Sequence, residues 1–419
     1  MVEARHGRSA VVVGAGIVGL CCAFHLNRAG LRVTVVDRDP DGDRTSFGNA
    51  GAIAQPEIMP LAEPGIIWKV PRHLFDPLGP LSIRLGYLPR LVPYMLRFLG
   101  AANERRFAAG AEAMARLLAT AFDDHATVLQ ATGLGHLLSR DGHLWVYRSE
   151  AALAAAAGEW ALRERLGFRC EKLDRGGIEA CEPGLGPAAR AAMRTEDWGV
   201  YADPKALVLG LMAHLRERGV EFRKAAVGGV SMADGGAGSL VAEDGARIDF
   251  ETLVIAAGAW SHRLSGQLGD RFPLETERGY NTTLPDPGVR LKSMVTFAED
   301  HFVATPMAMG LRIGGAVEFA GLDAPPNHAR ARALLKLASQ YLPGLCTDGG
   351  AEWMGHRPST PDSLPVIGRS PAHANVFYAF GHGHLGLTGS ATTGRLIAAL
   401  VRGEDPDVDL APFRIGRFG

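Results

Sequence analysis

Apolar and polar positions change period several times along the chain, and each change marks an element. Ser9 to Val13 is a short β-branched run that stops at Gly14, the pattern of a buried strand. From Gly16 the residues suit a helix through Arg28, closed by Gly30, and Leu31 to Val36 forms a second apolar run ending in Asp37. The same grammar returns twice. Thr252 to Ile255, within an apolar segment from Phe250 to Ala257, leads into small residues, and Asn375 to Phe380 leads into a glycine-rich loop and a helix through Leu400. Helical periodicity fills Arg105 to Gln130, Ser149 to Leu166, Pro204 to Arg218 and Ala329 to Tyr341. Strand patterns punctuated by Gly and Pro occupy Arg278 to Leu284, Met294 to Phe297, His301 to Thr305 and Leu311 to Gly314. No internal repeat is present.

Strands that feed helices lie at both ends and in the middle, so the expected domains interleave. The expected fold class is α/β: a Rossmann-like nucleotide-binding domain from 1–59, 195–270 and 346–419, with an α+β substrate domain built on an antiparallel sheet from 60–194 and 271–345. A length of 419 residues is enough for two or three cores.

Composition narrows the chemistry. Forty-four basic against 45 acidic residues give a net charge of −1, which speaks against a nucleic-acid partner. Glycine is in excess, 53 residues in 419, roughly twice the usual share of about 7%. Some pairs, Gly235-Gly236 and Gly349-Gly350, read as ordinary turns. Cys21, Cys22, Cys170, Cys181 and Cys346 are odd in number and show no C-x-x-C spacing. That argues against a disulfide framework or a structural zinc and for a reducing, cytoplasmic compartment. Met1 to Ala10 is polar, and glycines break the apolar run from Val11 to Leu26, unlike a signal peptide. Leu88 to Phe107 mixes Leu91, Val92, Tyr94, Leu96 and Phe98 with Arg90, Arg97, Arg105 and Arg106. Such a stripe covers a core or a partner subunit, its commoner use, or lies peripherally on the inner face of a membrane.

The first strand, turn and helix carry the chemical signal. Gly14-Ala15-Gly16-Ile17-Val18-Gly19 is G-x-G-x-x-G in strand–turn–helix context: one glycine for the tight turn, one for backbone approach to a pyrophosphate, one for helix–strand packing. Asp37, about twenty residues on, suits an adenosine ribose. NAD and FAD share this pattern, and three later segments separate them. Thr45-Ser46-Phe47-Gly48-Asn49-Ala50-Gly51-Ala52 offers backbone donors to a second phosphate or a flat ring. The strand end at Ala256-Ala257-Gly258-Ala259-Trp260 admits a cofactor. The loop from Gly381 to Gly389 opens a helix toward an anion or an electron-rich ring edge. NAD does not require that last site, so FAD is the expected cofactor.

On these motifs, with RGY at Arg278 to Tyr280 and HRPSTPDSLPVIG at His356 to Gly368, the sequence resembles the amine-oxidising FAD proteins of the D-amino-acid oxidase and glycine oxidase family, most nearly the bacterial D-amino-acid dehydrogenases. The resemblance implies that Gly14, Gly16, Gly19, Asp37 and Arg38 hold the ADP half, with Ile17 and Val18 in the same turn, and that Val227 lies on the adenine side. It implies that Ser46, Asn49, Ala50 and Gly51, flanked by Thr45 and Ala52, reach the pyrophosphate and flavin, and that Ala257, Gly258 and Trp260 line the cofactor path. It implies that Gly383, His384, Leu385, Gly386, Leu387 and Thr388 stabilise the flavin edge where negative charge accumulates. An amino-acid substrate and an electron acceptor such as a quinone or another protein follow as partners.

Oxidising an amine at a flavin requires orientation more than a strong base, above all a clamp for the substrate carboxylate. Arg278 and Tyr280, two apart on a predicted strand, share a face and are the first candidates. The sequence departs from the resemblance at Val303 to Met309, where many relatives carry an arginine and this chain has none. Arg312 is the nearest substitute, and the Met-rich stretch suggests an apolar lining for an aliphatic or cyclic side chain. His382 and His384 lack a third ligand nearby, so no metal is expected and His384 faces cofactor or substrate. His356 and Arg357 either contact flavin or cap a turn. The expected activity is oxidative deamination of D-amino acids, with D-proline or hydroxy-D-proline types among the substrates. The alternatives are oxidation of glycine or N-methyl amino acids, or a flavin-binding subunit of a hetero-oligomeric dehydrogenase.

Overall fold

The computed structural model describes residues 8–66, 81–232 and 238–418. The turn expected at Gly235-Gly236 and most of the polar amino terminus lie outside the described residues.

Two large sheets organise the molecule. The first runs in the order Glu221–Lys224, Arg32–Asp37, Ser9–Val13, Thr252–Ile255, Val376–Phe380, Val366–Arg369, all parallel except the last pair. Val12 sits in register between Val35 and Val254, and all three side chains are fully buried. Burial on both faces is what a parallel sheet covered by helices demands, and it explains the unbroken apolar runs. Helix Ile17–Arg28 packs against helix Ser390–Arg402 on one side. Cys21 and Cys22 are buried there, and burial pushes the Cys21 thiol up to about 12.

The second sheet follows the path Ala351–Ser359, Glu275–Leu284, Gly310–Phe319, Phe302–Met307, Met294–Phe297, His143–Tyr147, Ala191–Thr195, Cys170–Leu173. It is antiparallel except where Met294–Phe297 runs parallel to His143–Tyr147 and Leu81–Ile83 runs parallel to Gly310–Phe319. Strand Ala351–Ser359 belongs here, paired with Glu275–Leu284, so this sheet extends past the boundary expected at 346. A small sheet joins Ala52–Ala54 and Leu138–Ser139 to Trp198–Tyr201.

Two long helical patterns divide. Arg105 to Gln130 becomes Glu104–Leu118 and Ala121–Thr132, and at the break the Gln55 amide donates to the carbonyls of Leu118 and Ala119. Ser149 to Leu166 becomes Glu150–Ala155 and Ala157–Arg165. The amphipathic segment forms helix Leu88–Ala101 and presents both of its faces differently: Leu91 and Tyr94 are buried, whereas Leu88, Val92 and Leu96 are 43%, 43% and 66% exposed.

Candidate functional site

A cavity of about 1300 Å³ runs from the carboxyl ends of the parallel strands to the second sheet. Every residue expected to hold the cofactor borders it except Gly19 and Gly51. At the nucleotide end the three glycines of the motif have different reasons to lack a side chain. Gly14 has φ +112°, and a Cβ would stand 2.3 Å from the Ala256 carbonyl oxygen; at Gly19 it would stand 2.0 Å from Gly14 O. Both are required by backbone packing. Gly16 is different: its φ of −71° suits any residue, and a Cβ would meet only Ser46 Oγ, at 3.5 Å. Its open side faces the cavity.

Asp37, at the tip of its strand, accepts from Ala15 N at 2.7 Å and Asp39 N at 2.9 Å. Arg44 donates to Ala15 O at 2.6 Å and to the carbonyls of Asp39 and Gly42, tying the turn to the loop beyond the second strand. Its only sequence signal is its place just ahead of Thr45. Arg38 lies over the Trp260 ring at 4.0 Å, a cation–π contact that closes one wall. Val227 borders the same end beside Ala225 and Ala226.

The loop Thr45 to Ala52 is held by its own hydroxyls and amides. Ile17 N donates to Ser46 Oγ at 3.0 Å, Asn49 Nδ2 donates to Ser46 O at 2.9 Å, and Asn49 Oδ1 accepts from Gly51 N at 2.8 Å. That bond turns Gly51 away from the cavity, and a Cβ there would lie 2.5 Å from Tyr201 O. Thr388 Oγ1 donates to Ala52 O at 3.1 Å and accepts from Ala54 N at 3.2 Å, fastening the late glycine loop to this one.

The arginines separate clearly. Arg278 and Tyr280 do share a face, but both turn to Glu318: Arg278 Nη1 at 3.1 Å and Tyr280 Oη at 2.5 Å. Arg278 also donates to the carbonyls of Ala324 and Pro325, is fully buried and does not border the cavity. The expected Arg278 clamp is thus absent from the cavity wall, because both of its terminal nitrogens are turned to Glu318 and to the carbonyls of Ala324 and Pro325. Tyr280 borders the cavity with its hydroxyl engaged by Glu318 and Asn327 N.

Arg312 does reach the cavity. Its guanidinium is fixed by Nε to Thr283 Oγ1 at 3.0 Å and Nη1 to Asn49 O at 2.6 Å, is 8% exposed, and among the described residues has no carboxylate within ion-pair distance. Burial lowers its pKa, with Asp203 acting in the opposite sense. Of Val303 to Met309 only Val303 borders the cavity, so the expected methionine lining is not formed there; Met307 packs inward near Gly51, and Met309 lies beside Arg312 Nη2. Arg357 borders the cavity opposite Glu277 in the strand register. His384, also on the wall, is held down at about 4 by burial and by Arg357, and burial holds His356 at about 4 as well. Both imidazoles are therefore neutral at pH 7. His382 turns to Thr393 Oγ1 at 2.9 Å. Among the described residues no group of three or more His, Cys, Asp or Glu is arranged to hold a metal ion.

The family model described as FAD dependent oxidoreductase, DAO, matches residues 9–400. The chain is 38% identical to the D-amino-acid oxidase of Bradyrhizobium diazoefficiens over 98% of this chain and 99% of that protein. It is 31% identical to the D-amino acid dehydrogenase of Sinorhizobium medicae over 98% and 99%. Among solved structures, glycine oxidase from Geobacillus kaustophilus superposes with a TM-score of 0.74 at 22% identity, covering 98% of this chain and 99% of that one. L-proline dehydrogenase from P. horikoshii superposes at 0.75 with 18% identity, covering 98% of both. The residues present fit the dinucleotide: Gly16 has no reason within the protein to be glycine, yet a side chain there would fill the space at the helix N-terminus where a pyrophosphate binds.

Proposed function

The chain belongs to the DAO family of FAD-dependent oxidoreductases, and on that premise we propose that it oxidises D-amino acids at the α carbon, with Arg312 as the carboxylate clamp. The buried guanidinium of Arg312 carries this reading. A charge removed from water with no carboxylate paired to it among the described residues is costly, and a substrate carboxylate entering the cavity would supply a direct partner through charge-assisted hydrogen bonds. Bound FAD supplies a two-electron acceptor for the hydride. The Cα–H bond breaks, the hydride leaves with both electrons, and the nitrogen lone pair closes the C=N bond. Water then hydrolyses the imino acid to a 2-oxo acid and ammonia, or a ring nitrogen keeps it as a cyclic imine.

The chain's own residues bind and orient. Arg312 fixes the carboxylate, Asn281 Nδ2 holds Gly48 O at 2.7 Å so that the cofactor loop keeps its shape, and neutral His384 adds no charge to the wall. Met294, Val303 and Val317 give an apolar flank that suits aliphatic or cyclic side chains, D-proline and hydroxy-D-proline types among them. For the electron acceptor we assign a quinone or a partner protein. Helix Leu88–Ala101 borders the cavity through Tyr94, Met95 and Phe98 and turns Leu88, Val92 and Leu96 outward beside Arg90 and Arg97, a face suited to the anionic surface of a membrane where quinones dissolve. Among the described residues no helix is long and apolar enough to cross a membrane.

Anaerobic bleaching of the flavin by matched D- and L-amino acids, with and without a soluble quinone, tests the reading. D-amino acids bleach the wild type. In Arg312→Met the D-amino-acid Kd rises about 10- to 100-fold, the loss expected for hydrogen bonds to a charged group. Unchanged affinity in that variant, or bleaching by L-amino acids alone, would overturn it.

A further inference from the structure

His125 is not part of the chemistry above, yet it stands at a junction of the site. It lies on helix Ala121–Thr132, 2% exposed, with both ring nitrogens engaged. Nε2 faces two carbonyl oxygens, Leu387 O at 3.0 Å and Thr388 O at 3.3 Å, while Nδ1 lies 2.8 Å from the Tyr201 hydroxyl. Carbonyls only accept, so Nε2 carries the proton. Nδ1 is then a bare acceptor, and Tyr201 donates to it. One neutral tautomer satisfies every partner, and burial keeps the ring neutral by lowering its pKa to about 4.

The partners lead directly to the cavity. Leu387 and Thr388 border it in the late glycine loop, and Thr388 is fastened to Ala52 and Ala54. Tyr201 N donates to Gly51 O at 2.8 Å, in the other cofactor loop. Beside His125, Asp124 accepts from Arg395 Nε at 2.7 Å, on the helix that follows the late loop. One imidazole thus joins the late loop, and through Tyr201 the earlier one, to its own helix, which Asp124 ties to the helix Ser390–Arg402. No substrate or water path is needed for that role.

We propose that His125 is a positioning residue: by fixing Leu387 and Thr388 it aims the backbone donors of the late loop at the electron-rich edge of bound flavin and so sets the flavin's reduction potential. The proposal rests on the reading that this loop faces the flavin. Donors aimed at a developing negative charge stabilise the reduced form more than the oxidised one, and sub-ångström misplacement weakens them.

The test compares FAD-loaded wild type, His125→Leu, His125→Gln and Tyr201→Phe by two-electron potential and by the Kd of the flavin–sulfite adduct. In His125→Leu the ratio of reduced- to oxidised-flavin affinity falls at least tenfold, about 30 mV for a two-electron couple, and the sulfite Kd rises in step. Glutamine offers one donor and one acceptor and restores both within twofold; Tyr201→Phe shifts both in the leucine direction by a smaller amount. A folded, FAD-replete His125→Leu with unchanged potential, or equal shifts in leucine and glutamine variants, overturns the proposal. If His125→Leu does not fold, an unchanged potential in Tyr201→Phe overturns it equally. A wild type that takes up no FAD fails separately, since it overturns the functional reading first.

Discussion

At the scale of single residues, Gly14 and Gly16 separate folding from binding within one short motif. Alanine at Gly14 must adopt a positive φ and push against Ala256 O, so Gly14→Ala loses about 3 kcal/mol or more of stability or fails to fold. Alanine at Gly16 meets no such obstacle, and the apoprotein loses less than about 1 kcal/mol, the scale of a helix N-cap change. The FAD Kd of Gly16→Ala nevertheless rises about tenfold or more, or about 1.4 kcal/mol, because the methyl occupies the pyrophosphate's approach. Thermal melts of apoprotein paired with FAD titrations check both halves. Equal FAD affinity in Gly16→Ala and wild type would remove the pyrophosphate from this turn. The arginines teach the same lesson: Arg278 is spent on Glu318, whereas among the described residues Arg312 has neutral hydrogen-bond partners, Thr283 and the Asn49 carbonyl.

At the scale of elements, helix Leu88–Ala101 leaves several large apolar side chains uncovered by the described residues. Its sequence carries no acidic residue, and Arg90 and Arg97 flank the exposed Leu88, Val92 and Leu96, with Arg84 and exposed Leu85 just ahead of it. This combination gives both an apolar surface and a charge for anionic lipid. Wild type is expected to co-sediment with phosphatidylglycerol-rich vesicles at low salt, less so at high salt, while a Leu88→Ser, Leu96→Ser double variant stays in solution with its flavin spectrum unchanged. Wild type that remains in solution at low salt would refute the membrane assignment. Elsewhere strand periodicity was a good guide: the residues expected at 278–284 and 294–297 lie in strands Glu275–Leu284 and Met294–Phe297. Helix Ala329–Tyr341 likewise starts and ends where its pattern does. The long helix expected at 105–130 divides where Gln55, about sixty residues away, takes two carbonyls, an interaction that no local window contains.

At the scale of the whole molecule, buried titratable groups set the response to acid. Burial lowers eight histidines, His25, His125, His143, His214, His262, His356, His382 and His384, and raises three carboxyls, Glu57, Glu275 and Glu277. Each such histidine takes its proton in the unfolded chain near pH 6.5, whereas His25, His125, His356, His382 and His384 take it in the folded one only near 4. Stability is therefore fully present above about pH 6.5 and falls as pH drops toward 4; the three carboxyls act in the opposite sense but are outnumbered. The thermal midpoint should decline steadily from pH 6.5 to 4, and His125→Gln should flatten the slope by about one proton. A midpoint constant across that range would contradict the burial of these rings. The sequence by itself determined the nucleotide-binding turn, the alternation of parallel-sheet and antiparallel-sheet segments and the family, because those depend on local φ, on period and on ordered motifs. Only the tertiary structure decided that Arg312 and not Arg278 meets the cavity, that Ala351–Ser359 joins the second sheet, and that His125 links the two loops. Those outcomes depend on partners distant in the chain: a guanidinium is free or spent according to which carboxylate the fold brings beside it.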